Sequence, residues 1–329
     1  MPRSLLALAA ALLVALPVGA QTLDGDLSDP EYQTLATKLN ANGDFGPDID
    51  VTEIVYFADA TNGVLYLGLK GKLNTGSSDG ISVWLDFSEL SGAPAGTALG
   101  GIPNTPFSYY GAANGAFTAD FEVDYSLVVN PGAREDSVFV DAASYVGIPD
   151  TDFLGRADQA GTAALGPPDA TTNNGNASFF SVNSVGFAFD NSGAADTGFE
   201  VAIPFSELGI TGTGDLSAFA FVVSSSAYFS NVTVPGDVTA GNLGFDPDFN
   251  ANLTSGDCAC PNPSSPIGTG PYHATVSLGG GVSCEAKFTS ADLAYDAGTR
   301  RLSVTGGVRN NGADPVPLRL ELRYNRDGG

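Results

Sequence analysis

Apolar residues recur at every second position along much of this chain, in short runs closed by Gly, Pro, Asn and Asp. In "DVTEIVYFADATNGVLYLGLKGKL", Ile54, Tyr56 and Ala58 alternate with Val55, Phe57 and Asp59, and Leu65, Leu67 and Leu69 share one face. A period of two predicts half-buried strands, and Asn62-Gly63 between the runs predicts a hairpin. "DGISVWLDFS" predicts a third strand, with Ile81, Val83 and Leu85 on one face and Ser82, Trp84 and Asp86 on the other. "FTADFEVDYSLVVN", "DSVFVDAASYVG", "FFSVNSVGFAFDNS" and "TGFEVAIPFSELGI" continue the series. "LSAFAFVVSSSAYFSN" is a nearly unbroken apolar run, as expected of a strand at the centre of a sandwich.

Two departures from the strand pattern are predicted. The segment after "LDGDLSDPEY" reads as one or two helical turns, and "FSELG" reads as a single turn closed by Gly209. Ser91 to Asn114 and "GRADQAGTAALGPPDATTNNGNAS" read as loops. "YHATVSLG" closes the main domain, and Gly279 to Gly281 is a hinge candidate. Beyond it the pattern restarts, with strands separated at "DAGTRR" and "NNGADP". Such a stretch resembles the start of an immunoglobulin-like or fibronectin-like module, which needs about 100 residues and seven strands; the chain is expected to stop inside one.

Composition sharpens this picture. Gly numbers 42, charged residues are 15% of the chain, and straight-chain helix formers are scarce. Short β-branched and aromatic runs that need a covering layer predict an all-β protein, an antiparallel two-sheet β-sandwich of jelly-roll-like form. The first 20 residues combine Arg3, an apolar run from Leu5 to Leu16, and small residues ending at Ala20. That is the pattern of a secretory signal peptide, so export to the cell surface or beyond is expected, with no transmembrane segment after cleavage. The expected organisation is a signal peptide at 1–20, a sandwich domain at 21–280 and a partial β module at 281–329. The 37 acids outnumber 13 Lys and Arg, for a net charge of −24. A chain of that sign repels nucleic acid and anionic lipid, which removes both as partners.

Four stretches together carry a family resemblance: "LDGDLSDPEY"; "NGVLYLGLKGKL" with "DGISVWLDF"; "GFEVAIPFSELGI"; and "YFSNVTVPGD" with "GNLGFDPDF". They resemble the DOMON-like group of secreted bacterial β-sandwiches, which includes the family 9 carbohydrate-binding modules. The resemblance implies two antiparallel sheets face to face, with sugars, haem or other ligands bound and, in some members, structural calcium. Family 9 modules are expected to clamp sugar between tryptophans. Here Trp84 is the single tryptophan, and Tyr109 and Tyr110 in "PFSYYGAANG" are the other candidates for the clamp. Trp84 has two readings from its strand position, as an outward platform or as a packed sandwich residue.

The remaining chemistry is sparse. "DPDFNANLTSGD" places Asp246, Asp248 and Asn250 at the first, third and fifth positions of an EF-hand-like loop, with Asp257 at the twelfth. Ala251 stands where the sharp turn needs Gly, so an EF-hand is rejected and a looser calcium loop is the remaining cation reading. Turn-forming Asp is the alternative, as it is for Asp24, Asp26, Asp29, Asp44, Asp48 and Asp50. His273 is the only histidine and Met1 the only methionine, so no haem is expected. Cys258 and Cys260 are too close for an easy mutual disulfide; Cys284 is expected to bridge one of them, taken as Cys260. No nucleophile elbow or metalloprotease motif accompanies these residues. Glu122 and Asp124, two apart on one strand face, are the carboxylate pair considered for glycoside hydrolysis, with a solvated face as the alternative. The expectation is a non-catalytic exported binding module for carbohydrate or a cell-surface polymer. A structural or adhesion scaffold is the rival, and a glycoside-active enzyme comes third.

Overall fold

Alternation becomes packing in a β-sandwich. The computed structural model describes residues 21–74, 76–99, 117–131, 137–158, 179–181, 184–239, 241–253, 266–279, 293–296 and 301–304. The main strands are β1 (Gln33–Thr37), β2 (Asp50–Asp59), β3 (Val64–Lys72), β4 (Asp79–Phe87), β5 (Tyr125–Pro131), β6 (Ser137–Ser144) and β7 (Asp150–Asp158). They are followed by β8 (Gly186–Phe189), β9 (Gly198–Pro204), the turn of helix α1 (Phe205–Leu208), β10 (Asp215–Ser224) and β11 (Phe229–Val234). Short pieces β12 (Asp237–Val238), β13 (Gly268–Thr269) and β14 (Ala274–Ser277) complete the first unit. One antiparallel sheet runs β1-β2-β3-β9-β8; the other runs β11-β10-β4-β5-β6-β7, with β14 also on β10. Among the described residues no helix is long and apolar enough to cross a membrane.

The chain divides into two units, residues 1–279 and 280–329. In the second, the described part is an antiparallel pair, β15 (Leu293–Asp296) with β16 (Arg301–Val304), in register from Leu293↔Val304 to Asp296↔Arg301. The third strand read from the sequence there lies outside the described residues.

Two hydrophobic cores organise the first unit. The sheets face each other through Ile54, Tyr56, Leu65, Leu67 and Leu69 on one side and Ile81, Val83, Leu85, Leu127 and Ala218 on the other. A second core lies on the far face of the larger sheet. There Trp84, Val128, Ala143, Phe219 and Phe221 are covered by Leu99, Phe117, Phe121, Val123, Leu243, Phe249 and Tyr272 from irregular segments. β4 and β10 are therefore buried on both faces, and a strand so placed reads as a continuous apolar run.

Three expectations change. Gln33–Thr37 is a strand, paired with β2 across a bulge between Thr34 and Ala36, where the sequence predicts helical turns. The run "LSAFAFVVSSSAYFSN" is two strands, β10 and β11, separated by a turn with Ala227 at φ 59°. Ser224 holds that turn, its hydroxyl accepting from the amides of Ser226 and Tyr228. Residues 117–124 lie outside regular strand; isolated bridges Ala98↔Thr118 and Ala93↔Val123 fix them while Phe117, Phe121 and Val123 seal the second core. The predicted helical turn is α1, closed by Gly209 in the left-handed conformation at φ 75°.

Loops are tied down by carboxylates. Glu89 accepts from the hydroxyl and amide of Thr211 and from the amides of Thr213 and Gly214, at 2.7–3.0 Å. The Thr211 hydroxyl, helped by the three amides, pulls the Glu89 carboxyl down from its ordinary 4.5 to about 2. Hydrogen bonds to the charged form lower a carboxyl pKa, so this stabilisation is present above pH ~4.5 and is lost as pH falls towards 2. An NMR titration should give Glu89 a midpoint near 2, with the Thr213 and Gly214 amides losing exchange protection over that window. A midpoint near 4.5 would show that the carboxylate does not hold the loop.

Candidate functional site

The chemistry-bearing cluster that the described fold assembles is acidic. β4 and β5 pair antiparallel from Ile81↔Val129 to Leu85↔Tyr125. One residue further the Asp124 amide donates to the Leu85 carbonyl at 2.8 Å, which sets Asp124 beside Asp86. Glu122, two residues earlier, comes to the same side. Carboxylate oxygens of Asp86, Glu122 and Asp124 all lie within 4.8 Å of one another. Asp86 and Glu122 are half-buried, and Asp124 is 0% exposed.

Two of the three acids are held by backbone amides. The Phe87 amide donates to Asp124 Oδ2 at 2.7 Å, and the Gly92 amide donates to Glu122 Oε1 at 2.9 Å. Asp124 Oδ1 is buried with no hydrogen-bond partner. Burial, reinforced by Asp86 and Glu122 and opposed by the Phe87 amide, pushes the Asp124 carboxyl up to about 7. Burial and the Glu122 charge also raise Asp86, against the pull of Ser217 and His273. Among the described residues no lysine or arginine pairs with any of the three. The same sheet face carries buried Ser82, Ser126, Asn130 and Asp141, whose side chains include polar atoms without partners. Burial pushes Asp141 well above the ordinary carboxylate range; Asn130 stands beside it, outside good hydrogen-bond geometry.

Glu122 and Asp124 thus converge, with Asp86 as a third member that the sequence reading places only as a strand-face neighbour of Trp84. They are not a solvated face. Nor is Asp124 presented to a substrate: a general acid must reach the glycosidic oxygen, and this carboxyl is enclosed.

The other sequence candidates are dispersed. Trp84 is 0% exposed, packed edge-on to Phe117 at 4.5 Å and stacked with Phe221 at 6.1 Å, so it offers no ring face to a sugar. Asp248 is committed to its own turn, where Oδ1 accepts from the Ala251 amide at 2.9 Å and from the Thr118 hydroxyl. Asp246 is exposed at φ 52°, and the exposed Asn250 has its side chain against Gly96. Tyr109, Tyr110, Asp257, Cys258, Cys260 and Cys284 lie outside the described residues, as does the segment 1–20. His273 precedes β14, stacks on Phe121 at 4.9 Å and pairs through Nδ1 with Asp120 at 3.0 Å.

The acidic N-terminal stretch serves structure. Asp24 and Asp26 cap successive turns through the amides of Asp26 and Ser28, each at 2.9 Å. They border a cleft of about 340 Å³ with Asp190 and Asp196. There Asp190 accepts from the Ser192 amide and Asp196 pairs with Lys70, both at 2.7 Å. Behind this stretch stands Glu200, 0% exposed within β9. It accepts from the amides of Asp24 and Gly25 at 3.0 and 3.1 Å and from the Tyr32 hydroxyl. Compared with known proteins, the chain matches no family model, no curated protein and no solved structure.

Proposed function

We propose that this chain is a non-catalytic, exported binding module that takes carbohydrate or a related cell-surface polymer through its loops. The observation that carries the reading is the second core. A sandwich needs one core between its sheets; this one uses a further aromatic layer, Trp84, Phe117, Phe219, Phe221, Phe249 and Tyr272, to hold irregular segments on a sheet face. Polar anchors add to it: half-buried Asp120 accepts from the Tyr272 amide at 2.8 Å, and the buried Tyr145 hydroxyl donates to the Leu99 carbonyl at 2.8 Å. Loops pre-ordered by a rigid scaffold bind without a large ordering cost. The leader-like first 20 residues support export, and the resemblance to DOMON-like modules supports a sugar as the ligand class.

The test is a glycan array probed with the mature chain, with and without calcium. Binding that falls at least about tenfold in Tyr109→Ala/Tyr110→Ala supports the clamp read from the sequence, since two stacked aromatics at about 0.5–1.5 kcal/mol each together reach that loss. A blank array would move the assignment to a scaffold that presents loops to other proteins.

A further inference from the structure

We propose that Asp86, Glu122 and Asp124 form a calcium site that ties the start of β5 to the end of β4 and to the Gly92 turn. The proposal stands apart from the sugar reading and holds whether or not the module takes a glycan.

Three ionised carboxylates in one place repel one another, and a cation bound among them relieves that repulsion. Here the backbone holds two of them in place beside Asp86. Asp124 is fixed by its amide on the Leu85 carbonyl and by its Oδ2 on the Phe87 amide; Glu122 is fixed by the Gly92 amide. The second observation is the orphaned oxygen. Asp124 Oδ1 is enclosed and has no donor, although the side chain is 0% exposed. Its direction follows from Gly92. A Cβ built on Gly92 would stand 2.7 Å from Asp124 Oδ1 and 2.2 Å from the Val123 carbonyl oxygen. The orphaned oxygen therefore faces the turn whose amide holds Glu122, on the side where the acids converge. A side chain at position 92 would fill that space.

The donor set selects the ion. All three ligands are hard oxygens, with no histidine or cysteine among them, which favours calcium or magnesium over softer metals. Calcium accepts carboxylate oxygens at about 2.3–2.6 Å in flexible geometry, whereas magnesium demands a near-ideal octahedron and gives up its waters reluctantly. The oxygens of the three acids lie within 4.8 Å of one another, close enough for one calcium ion to bridge them. Half-exposed Asp86 and Glu122 leave a route for the ion and for the waters that complete its shell.

The experiment uses the full mature chain, stripped with EDTA and dialysed, at pH 7.5 and fixed ionic strength. Calcium is titrated by calorimetry, and thermal unfolding is followed at about 10 mM calcium, magnesium or added NaCl. The expected result is one site with a Kd of about 0.1–1 mM, the range of extracellular modules. Calcium should raise Tm by roughly 3–10 °C, and magnesium by less. Glu122→Gln and Asp124→Asn should each weaken calcium at least about tenfold. Glu122 is half-buried, so its variant remains informative if Asp124→Asn folds poorly. Asp246→Asn/Asp248→Asn should leave the affinity unchanged. Absence of a site, equal responses to calcium and magnesium, or wild-type affinity in Glu122→Gln would overturn the proposal. So would transfer of the loss to the Asp246/Asp248 variant.

Discussion

Trp84→Ala is expected to cost the fold about 4 kcal/mol, the middle of the range for removing an aromatic side chain from a packed interior. The indole is 0% exposed and sits between Phe117, Tyr145 and Phe221, with ring centroids at 4.5, 5.9 and 6.1 Å. Its truncation leaves a cavity that cannot close, because the floor is β4 and β10 in full register, Phe219 opposite Trp84. Trp84→Phe should cost clearly less. Urea unfolding measures both. Amide exchange should place the loosening in 93–99, 117–123 and 243–249, while β2 and β3 keep their protection. As the only tryptophan, Trp84 also reports its own surroundings. Native emission should be blue-shifted, resistant to acrylamide and unchanged by any bound glycan. Quenchable emission, or a loss under 1 kcal/mol, would return Trp84 to the surface as a sugar platform.

This result bears on what the amino-acid pattern reveals. Where one face of a strand meets the inter-sheet core, period two reads directly: β2, β3 and β4 follow from Ile54, Leu65, Leu67 and Ile81, and their first hairpin from Asn62-Gly63 with Gly63 at φ 67°. The second core does not read this way. Ser82, Trp84 and Asp86 have the look of an ordinary outward face, and only the folded loops show that Trp84 is enclosed. Turns lacking Gly or Asn-Gly were equally silent, which is why Ser225, Ser226 and Ala227 leave β10 and β11 looking like one strand. The carboxylate cluster is half legible. Glu122 and Asp124 are neighbours in sequence, but Asp86 joins them only through the β4–β5 pairing, and no local spacing encodes it.

Glu200→Ala should be the second large loss, about 3 kcal/mol, because it orphans three donors at once. Without the carboxylate the amides of Asp24 and Gly25 and the hydroxyl of Tyr32 lose their acceptor, and each buried unsatisfied group costs about 1–3 kcal/mol, discounted where water can enter. Gly25 packs closely against Asp190. It sits at φ 80°, and a Cβ there would meet the Asp190 amide nitrogen at 2.4 Å. The freed segment takes Leu27 with it, now 2% exposed and nested over Gly68. Exchange at residues 24–32 and urea unfolding are the measurements; a loss under 1 kcal/mol with the segment still protected would refute the anchor role. Glu200→Gln keeps an acceptor and should cost less, with a sign that depends on pH. Burial raises the Glu200 carboxyl against the pull of Tyr32 and the two amides. A raised carboxyl contributes stability that is whole below pH ~4.5 and declines as pH rises through the folded value. Glutamine lacks that slope, so the wild-type advantage over Glu200→Gln should shrink from pH 4 to pH 8. Glu200 and Asp124 are both enclosed carboxyls beneath chain that covers a sheet. Glu200 has three protein donors and needs nothing more, whereas Asp124 has one and an oxygen left over, so a cation should stabilise the larger sheet's cover and leave the Glu200 strap unmoved.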